Sequence, residues 1–121
     1  NKLVLNVCFN YGGRWDICQA AESLRNSGQA ITEEALDKSL ALAHVPDPDL
    51  FIRTGGELRV SNFLIWQMAY AEFYFSPALW PDFNAQELDQ AITVFRSRER
   101  RFGQTSEQLV GNAHGMKPGD A

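Results

Sequence analysis

The run Leu3-Val4-Leu5-Asn6-Val7-Cys8-Phe9 does most to limit the folds open to this chain. It is β-rich and almost wholly apolar, as a strand covered on both faces of a parallel sheet would be. Such a strand needs neighbours. The chain offers two further candidates, Leu50-Phe51-Ile52 and Phe73-Tyr74-Phe75, both short. Together these make a poor sheet for the helices that surround them. The expected fold class is α/β, a mainly parallel sheet flanked by helices, and the chain is expected to start in the middle of that fold.

The helices show in the apolar spacing. Residues 14–25 place Ile17, Ala20, Ala21 and Leu24 on one face, and Asn26-Ser27-Gly28 ends the segment. Thr32 before Glu33-Glu34, followed by Leu36 and Leu40, reads as a capped helix start with acids in the first turn. Pro46 and Pro48 punctuate the loop into the Leu50 strand. A third helix is expected over about 62–69, with Ser61 as its cap and a short strand after Glu72. Asn84 and Glu87 form a capping pair for the last helix, whose buried stripe is Leu88, Ile92 and Phe95. Arginines crowd its end: Arg96, Arg98, Arg100 and Arg101. Residues 1–103 are expected to form the folded part, and the polar residues 104–121 a flexible tail.

Composition excludes some functions. A formal net charge of -4 argues against a general nucleic-acid binder. No apolar run approaches the ~20 residues that span a bilayer. No signal peptide is visible, and Asn1 is an unusual start, so the true N-terminus is expected elsewhere. Cys8 and Cys18 lack a Cys-x-x-Cys pairing and read as buried, reduced thiols of a cytosolic protein.

The chemistry concentrates in Arg53-Thr54-Gly55-Gly56-Glu57-Leu58-Arg59-Val60-Ser61-Asn62-Phe63-Leu64. Glycines let a backbone turn sharply and approach a ligand, and arginine forks match phosphate oxygens. Strand, glycine turn, arginine, serine and helix N-terminus in that order suit a diphosphate. The plainer alternative is a turn between strand and helix, its arginines solvated or paired with Glu57. Both glycine turns, Gly12-Gly13 and Gly55-Gly56, fall at strand ends, where ligands bind in open α/β sheets.

Further motifs stand in order around this string: Asn10-Tyr11-Gly12-Gly13-Arg14-Trp15-Asp16-Ile17, then Trp66-Gln67-Met68-Ala69-Tyr70-Ala71-Glu72-Phe73-Tyr74-Phe75, Leu79-Trp80-Pro81-Asp82-Phe83, and Arg98-Glu99-Arg100-Arg101-Phe102-Gly103. On these residues, from about Leu3 to Gly103, the chain resembles the C-terminal half of the cis-prenyltransferase family. The resemblance implies that isopentenyl diphosphate is joined to an allylic diphosphate such as farnesyl diphosphate. Repetition gives undecaprenyl diphosphate, the lipid carrier of bacterial cell-wall synthesis. Such a site must hold two diphosphates and stabilise charge on the departing one, the work of arginine forks, backbone N–H groups and Mg²⁺.

By the same resemblance, Arg53, Arg59 and Ser61 hold the diphosphate of isopentenyl diphosphate, with backbone contacts from Val60. Arg101 and Gly103, in an Arg-x-Gly, reach across a homodimer interface towards the partner's site; a cluster that serves only the helix dipole is the alternative. Glu72 is implied as a Mg²⁺ ligand, working with an aspartate from the first half. An ion pair with an arginine is the other reading, since a carboxylate entering an apolar strand needs a partner. Asn10, Gly12, Gly13 and Arg14 support the pocket. The aromatic residues Trp66, Tyr70, Phe73, Tyr74, Phe75, Trp80 and Phe83 are expected mainly in core or dimer packing, with a lipid tunnel as the alternative. Contact with a membrane is expected only peripherally, through the lipid product.

Leu58 departs from the family, where many bacterial members carry a histidine. His44 reads as a surface residue, and His114 falls in the tail. The family's Asp-Gly-Asn-x-Arg-Trp phosphate loop is absent, so no catalytic group is assigned here and the chain alone is expected to be inactive. Two other functions stay open. One is a non-catalytic partner subunit of a heteromeric cis-prenyltransferase; the other is a generic diphosphate-binding module.

Overall fold

Helix α1 (Gly13–Asn26) forms where the apolar spacing predicts it, and its face Ala20 and Leu24 is buried. It packs against α2 (Glu33–Ser39), which contributes Leu36 and, just past its end, Leu40 to the same cluster. Thr32 caps α2, accepting a hydrogen bond from the Ala35 N–H at 3.0 Å. The computed structural model describes residues 3–98 and 103–114. They divide into two compact units: residues up to Pro48 with Arg59–Ala69, and Asp49–Leu58 with the described residues from Tyr70 on.

In the first unit, Ile17, Ala21, Ala35 and Trp66 close over the α1–α2 cluster. The indole N–H of Trp66 donates to the Asp37 carboxylate, so this aromatic is core with its polar edge satisfied. The run 3–9 is not a strand. Leu3 is 87% exposed and Phe9 86%, and no described strand pairs with them. A strand is a relation between two backbones, and apolar β-rich residues do not form one without a partner edge. The thiols also differ from expectation: both are free, but Cys18 is exposed and Cys8 half-buried. His44 is a surface residue, its Nε2 3.0 Å from the Asn6 Oδ1.

Residues 61–69 form consecutive turns rather than the expected helix. Ser61 (φ 49°), Asn62 (φ 63°) and Leu64 (φ 39°) are left-handed. That conformation breaks a right-handed ladder and costs roughly 1–2 kcal/mol per non-glycine residue. Ser61 therefore caps no helix.

The second unit holds a parallel pair, β1 (Leu50–Arg53) and β2 (Glu72–Phe75), with Leu50 opposite Glu72 and Arg53 opposite Phe75. Phe51 and Phe73 meet edge to face at 5.4 Å. A 3-10 turn (Trp80–Asp82) leads to α3 (Ala85–Ser97), which lies against β2. Asn84 caps α3 through the Glu87 N–H at 3.1 Å, but the Glu87 carboxylate accepts instead from the Ser76 hydroxyl at 3.2 Å. The capping pair is thus one-sided. Along α3, Ala91 is the buried residue; Ile92 and Phe95 are half-buried and Leu88 is exposed. Where a loose tail was expected, α4 (Ser106–His114) begins with a reciprocal cap: the Gln108 N–H donates to Thr105 Oγ1 at 3.3 Å, and the Thr105 N–H donates to Gln108 Oε1 at 2.8 Å.

Candidate functional site

Arg53 closes β1, and a glycine turn follows it. Gly55 and Gly56 both take positive φ (83° and 71°), a conformation glycine adopts without steric cost. The turn is stitched to the chain beyond β2. The Ser76 N–H donates to the Arg53 carbonyl at 2.7 Å, the Gly56 N–H to the Ser76 carbonyl at 3.0 Å, and the Gly55 N–H to the Ala78 carbonyl at 2.8 Å. Ser76 itself is fully buried. Arg53 is thereby held at the carboxyl end of a parallel pair, the edge at which α/β sheets receive ligands.

Glu72 begins β2, where the sequence placed it, and is half-buried. It lies across from Leu50, so it occupies the amino end of the pair while Arg53 occupies the carboxyl end. Four-residue strands rising ~3.3 Å per residue separate those ends by roughly 10 Å. The unit therefore does not bring Glu72 and Arg53 together. What Glu72 meets is Arg98, whose guanidinium lies 3.5 Å from Oε2 and also donates to the Phe73 carbonyl. The sequence raised an ion pair as one reading of Glu72 without naming Arg98; only the packing of α3 on β2 identifies it.

A Mg²⁺ ion takes six oxygens, usually one or two carboxylates completed by water and phosphate. Glu72 has the chemistry of one such ligand. Among the described residues, no group of three or more His, Cys, Asp or Glu side chains could hold a metal. Glu72 fits Mg²⁺ as a single contributor to a site completed by other oxygens.

Arg59, Val60 and Ser61 belong to the first unit, as do Asn10, Gly12, Gly13 and Arg14. Arg59 and Ser61 are exposed and Val60 is half-buried. The Phe63 N–H donates to the Val60 carbonyl at 3.1 Å, closing a tight turn that begins at Val60. Asn62 ties that turn to α1. Its backbone carbonyl accepts from the Gly13 N–H at 2.6 Å, and its Oδ1 accepts from the Arg14 N–H at 2.9 Å. Gly12, the N-cap of α1, has no side chain with which to do this. A Cβ on Gly12 would sit 2.9 Å from Asn62 Nδ2, and one on Gly13 would sit 2.7 Å from Ile65 Cγ1. The close approach explains the glycine pair. A depression of about 350 Å³ lined by Arg14, Val60, Asn62 and Ile65 opens at this junction.

The same unit holds a buried carboxylate that the sequence did not single out. Asp16 is 0% exposed and accepts from the Tyr11 hydroxyl (2.8 Å), Gln19 Nε2 (2.9 Å), the Ala41 N–H (2.9 Å) and Gln67 Nε2 (3.4 Å). Burial works to raise its pKa, but these donors outweigh it and hold the carboxyl below its usual range. Tyr11 is pushed the other way, to about 12, by burial first and then by its bond to Asp16. The network joins the Tyr11 loop, α1, the chain after α2 and the turns over 61–69.

Gly103 is exposed, with φ 79°, and a Cβ there would lie 3.6 Å from Tyr70 Cε1. Arg101 lies outside the described residues. Leu58 is exposed, and so are Tyr70 and Trp80, while Phe73, Tyr74, Phe75 and Phe83 are half-buried. Trp80 stacks on Phe83 at 6.3 Å. No described helix is long and apolar enough to cross a membrane.

The chain matches known proteins throughout this region. It is 61% identical to an isoprenyl transferase of Neisseria meningitidis serogroup B over 108 residues, which are 88% of this chain and 44% of that protein. It is 51% identical to a ditrans,polycis-undecaprenyl-diphosphate synthase, (2E,6E)-farnesyl-diphosphate specific, of Vibrio vulnificus, over 88% of this chain and 45% of the relative. The chain thus spans under half the length of these curated relatives. The crystal structure of a probable undecaprenyl diphosphate synthase from Campylobacter jejuni superposes with a TM-score of 0.73 at 42% identity, covering 79% of this chain and 45% of that one. A lavandulyl diphosphate synthase from Lavandula x intermedia, in complex with dimethylallyl diphosphate, gives a TM-score of 0.72 at 40% identity, over 78% of this chain and 44% of that one. The fold is that of the cis-prenyltransferases. The family model described as "Putative undecaprenyl diphosphate synthase" matches residues 1–103, and the chain belongs to this prenyltransferase family.

Proposed function

We propose that the complete protein carrying this chain condenses isopentenyl diphosphate with farnesyl diphosphate and, by repetition, makes undecaprenyl diphosphate. The observation that carries this reading is the Gly55–Gly56 turn, which holds Arg53 at the carboxyl edge of the parallel pair. A guanidinium there suits a diphosphate: two parallel N–H···O bonds fix its orientation and offset its charge. By the family resemblance, Arg59 and Ser61 donate to the diphosphate of isopentenyl diphosphate, and Val60 offers its backbone. When bound, Mg²⁺ neutralises phosphate charge, with Glu72 as the ligand from this chain. Arg101 and Gly103 serve the isopentenyl site of a partner copy in a homodimer. The protein works in the cytoplasm, supplies lipid carrier to the cell wall, and meets the membrane only through its product.

The test is incorporation of labelled isopentenyl diphosphate into a butanol-extractable product, with farnesyl diphosphate and Mg²⁺. Incorporation by the complete protein is expected, and product length identifies the polyprenol. No incorporation by the complete protein would overturn the reading.

A further inference from the structure

We propose that Asn62 is the positioning residue of the diphosphate-binding segment, locking the turn that follows Arg59 onto the first turn of α1. The inference rests on the function proposed above and adds a residue to it. Three observations meet at Asn62. Its backbone carbonyl and side-chain oxygen take adjacent N–H groups of α1, Gly13 at 2.6 Å and Arg14 at 2.9 Å, donors that otherwise lack a partner at a helix start. It stands among left-handed residues, Ser61, Asn62 and Leu64, a conformation that persists only where surroundings over-determine it. Asparagine tolerates that conformation better than most residues. Finally, Gly12 and Gly13 leave room for its approach, which a Cβ at either position would obstruct.

Asn62 needs no contact with substrate to matter. Ser61 directly precedes it, and Val60 and Asn62 line the same depression. Released from α1, the turn loses its fixed path, and the ligand must supply part of the ordering of Arg59 and Ser61. That ordering weakens binding of the incoming diphosphate and leaves the allylic one alone.

The experiment compares Asn62→Gly and Gly12→Ala in the complete protein, with separate KM values for the two diphosphates. Asn62→Gly keeps the freedom for positive φ and removes only the side-chain acceptor. Gly12→Ala leaves Asn62 in the sequence and crowds its Nδ2. Both are expected to raise the KM for isopentenyl diphosphate about tenfold, the scale of one charge-assisted hydrogen bond. The KM for farnesyl diphosphate should stay unchanged. A lowered Tm or kcat with both KM values unchanged would make Asn62 a structural cap only and overturn the proposal, as would equal rises in both. If one variant does not fold, the other decides. A wild-type protein that neither binds nor consumes isopentenyl diphosphate would instead sink the proposed function itself.

Discussion

The guanidinium of Arg98, at the end of α3, lies 3.5 Å from the carboxylate of Glu72 at the start of β2. Both side chains are partly exposed, so the pair itself stabilises the fold by about 1 kcal/mol at most. Its greater consequence is competition. A carboxylate facing a guanidinium is less available to a cation. In the complete protein, Arg98→Ala should therefore lower the Mg²⁺ concentration needed for half-maximal turnover, and Glu72→Gln should raise it. Mg²⁺ titrations that coincide for wild type and both variants would remove Glu72 from the metal site.

Arg59 carries the second prediction. A guanidinium on a diphosphate oxygen contributes roughly 1.5–3 kcal/mol, about ten- to a hundredfold in affinity. Arg59→Ala should raise the KM for isopentenyl diphosphate by that factor and lower turnover. Steady-state kinetics with farnesyl diphosphate saturating provide the check, and unchanged kinetics would take Arg59 out of the site.

The third prediction concerns pH, because the Asp16–Tyr11 bond opposes two titrations. Asp16 has its folded pKa lowered, so its contribution to stability is present above the unfolded value, about 4, and is lost as pH falls through the folded one. Tyr11 has its folded pKa raised to about 12. Its contribution is present below the unfolded value, about 10, and is lost as pH rises through the folded one. Urea midpoints measured against pH should show both limbs. Asp16→Asn should flatten the acid limb and cost about 1–3 kcal/mol at neutral pH, because an amide N–H₂ would face a donor. Tyr11→Phe should remove the alkaline limb and also weaken the acid one, because it takes away one of the donors that hold the Asp16 carboxyl low. An acid limb unchanged in Asp16→Asn would refute the role given to this carboxylate.

These cases mark what the sequence can disclose. Thr32, Asn84 and the Ile17–Leu24 spacing act within a few residues, and the helices they announce are present. The Thr105–Gln108 cap was equally local and was obscured by the polar composition around it. Residues 61–69 misled because their apolar run has helical character, while their path follows the bonds of Asn62 to α1, far away in sequence. Glu72 shows the same divide: that a carboxylate entering an apolar strand needs a partner was legible, but that the partner is Arg98 depends on tertiary packing. Asp16 was not legible at all, because its burial comes from packing between segments distant in sequence, which adds Ala41 and Gln67 to the nearby donors Tyr11 and Gln19.

The run 3–9 supports the last prediction. It is β-rich in sequence, apolar and exposed, with Leu5 at 81% and Val7 at 62%, and no described strand covers it. Unpaired apolar backbone of this kind templates association between chains. The 121-residue chain, expressed alone, should therefore self-associate as its concentration rises. A charge in the middle of the run opposes stacking of like strands, so Leu5→Lys should suppress that association. In the complete protein the same substitution should be harmful if further strands cover the run, because a lysine would then be buried without a partner. Light scattering of the short chain and thermal melting of the complete protein test the two halves of the argument. Scattering that Leu5→Lys does not reduce would mean that another exposed surface, such as the Trp80–Phe83 stack, drives association.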